Sequence, residues 1–175
     1  MKHLRATIRR QASGGDVTET GSTLVEVALS SAVLLSVIFG IMQVCLALYT
    51  YTFISEASRE ATRYAVVRGA SSCTVAPTFP NCNLNPTSAG NPIQTYVTGL
   101  GYPGLNASNL TVTASWWSPS GPPGNTWTTA CTVSTCNAVG NAVSVQVTYA
   151  FPLSIPFWKN ATVNLSSTSQ MMISE

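Results

Sequence analysis

The sequence predicts an α+β protein in which one long N-terminal helix, apolar and then amphipathic, leads into a small antiparallel β-sheet. Three observations predict it. From Val27 to Ser55 no residue is charged, a run longer than the ~20 residues that a bilayer core requires. The stretch that follows, YTFISEASREATRYAVVRGASS, repeats small or apolar side chains at spacings of three and four, the period of an amphipathic helix. Beyond Gly69, two segments alternate apolar with polar residues, the period of half-buried strands. Three parts follow from these boundaries: a basic leader over residues 1–21, a long helix over residues 22–68 with a transmembrane part about 25–51, and a domain over residues 69–175.

Composition sets the class. In 175 residues only 8% are charged, about a third of the roughly 25% usual in globular domains. A formal charge of +2 is too small to imply nucleic acid, and no stretch of the domain interleaves basic with aromatic residues as a phosphate-binding surface would. Lys2, Arg5, Arg9 and Arg10 precede the apolar run and favour a cytoplasmic N-terminus, although Arg59, Arg63 and Arg68 lie near its other end. The run is too long for a secretory signal peptide, whose apolar region spans about 7–15 residues, so the anchor is expected to stay.

The cysteines place the domain. Cys45 lies within the apolar run, where it reads as a small buried hydrophobe. Cys73, Cys82, Cys131 and Cys136 lie in a segment rich in Ser, Thr, Asn, Gly and Pro, a context for disulfides in an oxidising compartment. Three pairings are open, and Cys73 with Cys82 and Cys131 with Cys136 are favoured because short loops close at the least entropic cost. A four-cysteine zinc site competes, but the eight-residue gap of the first pair fits it poorly. Disulfides put residues 69–175 outside the cytoplasm.

Within the helix, Glu56 and Arg59, then Glu60 and Arg63, stand three apart on one surface, and Phe53, Ala57, Ala61, Tyr64 and Ala65 form a stripe. Gly69 is the expected stop, with Arg68 favourably placed in the last turn. Such a helix is roughly 70 Å long, about twice a bilayer's thickness, so half of it must project or lie against the domain. NPIQTYVTGLG offers Asn91 as cap, Pro92 at the first position and Gly99 or Gly101 as stop, predicting a short helix. NLTVTASWW sets Leu110, Val112, Ala114 and Trp116 against Thr111, Thr113 and Ser115. SPSGPPGN reads as a loop. NAVSVQVTYAF carries Val143, Val145, Val147, Tyr149 and Phe151 on one face, while PLSIPFW is too proline-rich for a central strand. A last strand, ATVNLSSTSQMMI, holds Val163 and Leu165 and fades into serines.

Catalysis finds no support. From Gly69 to Ser174 there is no Asp, Glu or His, and Lys159 is the only charged side chain. General acid–base chemistry needs a titratable group, and nucleophile activation needs a neighbouring base. The only histidine, His3, lies in the basic leader. Carboxylate clusters for metals are missing too, and no cofactor is expected. Of the tryptophans, Trp116 is assigned to the core. Trp117 must point the other way and, with Trp127, is a candidate for facing a partner; Trp158 has no assigned role.

One acid remains. Glu26 opens the apolar helix at the fifth place after Gly21, preceded by a basic leader. Gly21-Ser22-Thr23-Leu24-Val25-Glu26 resembles the processing site of type IV pilin-like proteins, and the resemblance implies cleavage between Gly21 and Ser22 by a membrane-embedded prepilin peptidase. The new ammonium on Ser22 would pair with a buried carboxylate of its own or a neighbouring subunit. GSTLVEVALSSAVLLSVIFGIMQ, ASREATRYAVVRG and VSVQVTYAFPLSIPFW together resemble the TadE-like family of minor pilins or pseudopilins in tight-adherence (Flp, type IV-like) pilus systems. Thr62 stands where that family usually has glycine, and Val27 where the much shorter major pilins often carry tyrosine. The segment from Ser71 to Trp127 carries nothing diagnostic.

The resemblance implies a pilin-like, non-enzymatic structural or assembly component. It would be a single-pass protein of the bacterial inner membrane with a periplasmic or extracellular domain. Its partners would be other pilin-type subunits, pilus assembly proteins and the prepilin peptidase. Helix packing would use Ser30, Ser31, Ala32, Gly40 and Ala47, small residues that permit close approach in lipid, with Glu56, Arg59, Glu60 and Arg63 beyond them. The alternative is a membrane-tethered surface adhesin that is never processed.

Overall fold

A computed structural model describes residues 17–75, 81–120, 126–154 and 159–174. The basic leader up to Asp16, Trp158 and the middle of two predicted loops lie outside the described residues, as does the side chain of Trp127. Helix α1 spans Val17–Val66, so it starts five residues before Ser22 and runs through Gly21. Its 50 residues measure about 75 Å. A single turn α2 (Ser72–Val75) and helix α3 (Pro92–Gly99) follow. Four strands complete the fold: β1 (Leu110–Ser120), β2 (Thr126–Cys131), β3 (Ala142–Leu153) and β4 (Ala161–Met172). They form one sheet in the order β2-β1-β3-β4 with every neighbour antiparallel. The fold is thus α+β, a long apolar helix followed by a small antiparallel sheet.

The core lies between the upper half of α1 and one face of the sheet. Val143, Val145, Val147, Tyr149 and Phe151 of β3 point inward with Leu110, Val112 and Trp116 of β1. Ile93 and Val97 of α3 and Leu84 close one side. From α1 come Ile54, Ala57, Ala61 and Ala65, joined by buried Thr50, Ser58 and Thr62. The predicted stripe holds at its alanines, while Phe53 and Tyr64 are half-buried on its flank and Ile54 is its largest buried member.

Strand β4 corrects the reading that it fades into serines. It pairs with β3 along its whole length. Its inward row includes Ser167 and Ser169, and these small side chains let the alanine face of α1 approach. The Ser58 and Ser167 hydroxyls lie 3.3 Å apart. The Thr62 hydroxyl lies 2.7 Å from the Ser58 carbonyl and 3.3 Å from that of Ser169. A buried hydroxyl therefore ties the helix to the strand.

Two loops predicted from proline content are partly strand. Ser118, Pro119 and Ser120 belong to β1, with a register shift between Ser118 and Pro119. Pro152 and Leu153 belong to β3, which is central. Pairing with β1 ends at Leu110↔Tyr149, so Pro152 sits beyond the last residue that would need its missing N–H. The edge strand β2 was not predicted.

Helix α3 matches its expected bounds. Asn91 has φ 43° and its side chain accepts from the Gln94 N–H at 3.2 Å; asparagine tolerates this left-handed conformation. Gly101, at φ +64°, supplies the left-handed residue just past the helix end. At the top, Arg68 donates to the Tyr64 carbonyl at 3.2 Å and covers the Tyr64 ring at 3.5 Å.

Both favoured disulfides are present, Cys73–Cys82 and Cys131–Cys136, with Cα separations of 5.0 and 5.6 Å. Residues just beyond the two disulfides meet the end of α1, where the Leu84 N–H donates to the Arg68 carbonyl and the Ala70 N–H to that of Asn137. Cys45 is free and exposed on α1, not buried. Loops this short are worth about 2–3 kcal/mol each by chain entropy. Replacing Cys73 and Cys82 with serine is therefore expected to lower the unfolding free energy by about that amount, read as a lower urea midpoint followed by tryptophan fluorescence.

Candidate functional site

The feature that the packing leaves unexplained is the lower half of α1. Leu24, Val25, Val27, Leu29, Val33, Leu34, Val37, Ile38 and Ile41 are all half or more exposed. The helix is long and apolar enough to cross a membrane. An apolar surface of this length is larger than soluble monomers usually leave bare, and it is compatible with a single membrane span.

Among the described residues the domain first touches the helix at Gln43, whose side-chain amide donates to the Ser154 carbonyl at 3.0 Å, just past the end of β3. Above it the inward line runs through Ala47, Thr50 and Ile54. On the outer side Val44, Leu46, Leu48, Tyr49 and Tyr51 remain exposed, and the first charges there are Glu56 and Arg59. The last two turns of the apolar run are thus clothed by protein on one side and bare on the other. The spacing of the apolar residues could not reveal this, because Gln43 reaches a residue more than a hundred positions away.

Glu26 and Ser22 are four residues apart, one turn of α1, and both are exposed. No described residue of the chain pairs with the Glu26 carboxylate. Of the small residues, Ala32, Gly40 and Ala47 are half-buried along the line that continues downward from the domain-facing side. Ser30 and Ser31 are exposed, and the Ser31 hydroxyl donates to the Ala28 carbonyl at 2.9 Å.

The charged segment divides. Arg59 and Glu56 form an exposed ion pair at 3.4 Å. Glu60, three residues from Arg63, instead accepts from the Tyr96 hydroxyl at 3.0 Å, while Arg63 is exposed. Tyr96 stacks on Tyr64 with centroids 3.9 Å apart, so the acid orients the aromatic pair that docks α3. Burial and the Glu60 carboxylate raise the Tyr96 pKa, which keeps the phenol a neutral donor. Burial, Glu60 and Glu56 raise that of Tyr102, whose ring lies 5.1 Å from Phe53. Sequence spacing paired Glu60 with its helical neighbour; the tertiary partner, 36 residues away, gave no local signal.

Trp116 is buried, as assigned, and Trp117 is half-buried on the opposite face of the sheet. A cleft of about 430 Å³ runs between α3 and β1 and is lined by neutral groups including Asn85, Ser88, Asn91, Gln94 and Trp116. Among the described residues no group of three or more His, Cys, Asp or Glu could hold a metal.

A family model described as TadE-like protein matches residues 21–63. No curated protein and no solved structure matches the chain. The match begins at the glycine before Ser22, covers Glu26 and the bare apolar surface, and ends within the seam that holds the sheet. Over residues 21–63 the chain is similar to the TadE-like family.

Proposed function

We propose that this chain is a minor pilin or pseudopilin, a structural or assembly component of a tight-adherence type IV-like pilus or a related secretion machine. The observation that carries the reading is the coincidence of the TadE-like match with a helix whose lower half is bare and apolar. In this reading residues 1–21 are a cytoplasmic leader removed by a prepilin peptidase between Gly21 and Ser22. Residues from about 25 to 51 cross the inner membrane, and the disulfide-bonded domain is exported. The Gln43–Ser154 contact supports a domain seated against the outer end of the span rather than held off on a stalk.

The chemistry proposed is association. In lipid, helices attract by close packing and polar pairing, since lipid tails are as apolar as leucine. Ala32 and Gly40 offer the narrow face, whereas Ala47 packs against the chain's own domain; Glu26 offers a carboxylate to an ammonium on Ser22 of a neighbouring subunit or its own. The domain carries no Asp, Glu or His between Gly69 and Ser174, the side chains that most often serve general acid–base catalysis.

Deleting the gene in the native host tests the role. Surface filaments counted by electron microscopy are expected to disappear or to fall sharply in number, and a copy of the gene is expected to restore them. Normal filaments with reduced attachment to surfaces would overturn the proposal in favour of a tethered adhesin.

A further inference from the structure

The sheet has two edges, and they are built differently. On β1, the stretch that β2 does not cover is capped: the Asn91 side-chain amide donates to the Val112 carbonyl at 3.0 Å and that of Gln94 to the Leu110 carbonyl at 3.5 Å. Beyond it, β2 is only six residues long. The opposite edge, β4, is twelve residues long, with no charge, proline or glycine and no register shift against β3. Proteins usually blunt such an edge with charges, prolines or bulges, because its free N–H and C=O groups template pairing.

Alternation identifies those free groups. Leu110 and Val112 turn their carbonyls away from β3, so the odd residues of β1 bond to β3 and the odd residues of β3 bond to β4. Thr162, Asn164, Ser166, Thr168 and Gln170 of β4 therefore present their backbone N–H and C=O to the open edge. On β2, Cys131 and Thr129 bond to Trp116 and Ser118, which leaves Ala130 facing outward.

Strand direction selects the occupant. The contacts of Ser58 with Ser167 and of Thr62 with Ser169 show that β4 runs parallel to α1. With every neighbour antiparallel, β2 runs against α1. Copies anchored in one membrane share the direction of α1. Between such copies β4 would meet another β4 in parallel, the weaker arrangement, but would meet β2 antiparallel.

We propose that the open edge of β4 pairs with β2 of a second copy of this chain, a head-to-tail contact that continues the sheet from one domain to the next. Such a contact is heterologous and propagates into a ring or an open row. It rests on the shared membrane orientation assumed under the proposed function, and adds to the helix a second contact made by the domains.

Cysteine cross-linking in membranes of a host without pilus genes tests the contact, using the full chain with Cys45→Ser. Ala130→Cys is combined with Ser166→Cys, Thr168→Cys or Gln170→Cys, because Cα atoms within about 4.4–6.8 Å can be bridged. The expected result at one register is a ladder of disulfide-linked species from the doubly substituted chain. Two singly substituted chains expressed together should give dimers alone, with the linkage confirmed by peptide mapping. Adding Thr168→Pro to a doubly substituted chain that cross-links through Ser166→Cys or Gln170→Cys should abolish the ladder. Its N–H faces the open edge, so the β3 pairing survives, read as unchanged circular dichroism; should Thr168→Cys be the linking register, Ser166→Pro takes its place.

Dimers from a singly substituted β4 variant, or no cross-link at any register from a chain that resists carbonate extraction, would overturn the contact. Either result leaves the filament count after gene deletion unaffected, so the two proposals fail separately.

Discussion

Glu26→Ala is expected to leave the chain inserted in the membrane and to abolish its entry into filaments. An acidic residue costs about 2.5–3.5 kcal/mol at the centre of a membrane helix and less towards its end, so removing it favours insertion if anything. Its persistence needs a compensating partner, and within a single chain the carboxylate is exposed without one among the described residues. Two unit charges 4 Å apart attract by about 4 kcal/mol at an effective dielectric of 20. Losing that attraction to the Ser22 ammonium of a neighbour corresponds to roughly a thousandfold weaker association. Glu26→Gln, which keeps the shape and loses the charge, should behave as the alanine variant does. The measurement is the share of the chain in sheared filaments against the membrane fraction; an unchanged share would remove Glu26 from assembly.

Ala61→Leu is expected to loosen the domain from the helix. Ala61 is fully buried in the seam between α1 and the sheet. Around it Ala57, Ser58, Thr62 and Ala65 of α1 face β3 and the Ser167–Ser169 row of β4, an arrangement of small side chains that sets the helix close to the strands. A leucine here must push the helix away or take a strained rotamer, at about 1–3 kcal/mol and occasionally more. The Ser58–Ser167 and Thr62–Ser169 contacts would lengthen together. Arg63→Ala, two residues on but exposed, should stay within about 0.5 kcal/mol of the parent. Urea midpoints from tryptophan fluorescence compare the two, and equal midpoints would show that the seam is not closely packed.

Both expectations draw on features that the sequence displays unequally. The helix was legible because a charge-free run and a three-to-four spacing are local. β1 and β3 were legible because their own inward side chains are large and apolar, so apolar and polar residues alternate cleanly. β4 was legible only at Val163 and Leu165: its inward positions face alanines and hydroxyls, and serine there fits by size, which erases the apolar signal. β2, TWTTAC, is a short edge strand with no alternation to read. Pro152 looked like a breaker because the reading could not know where β1 ends. The cysteine pairs followed from loop length, whereas Gln43 with Ser154 and Glu60 with Tyr96 join distant segments and had no trace in spacing.

The pairing of Glu26 requires an ammonium at Ser22, which exists only if the leader is cut. N-terminal sequencing of the chain isolated from envelopes of the native host, with intact mass on the same sample, tests this most directly. The account predicts a chain that begins at Ser22 and lacks residues 1–21, and an uncut chain when the prepilin peptidase is absent. A native chain that begins at Met1 in both backgrounds would contradict it.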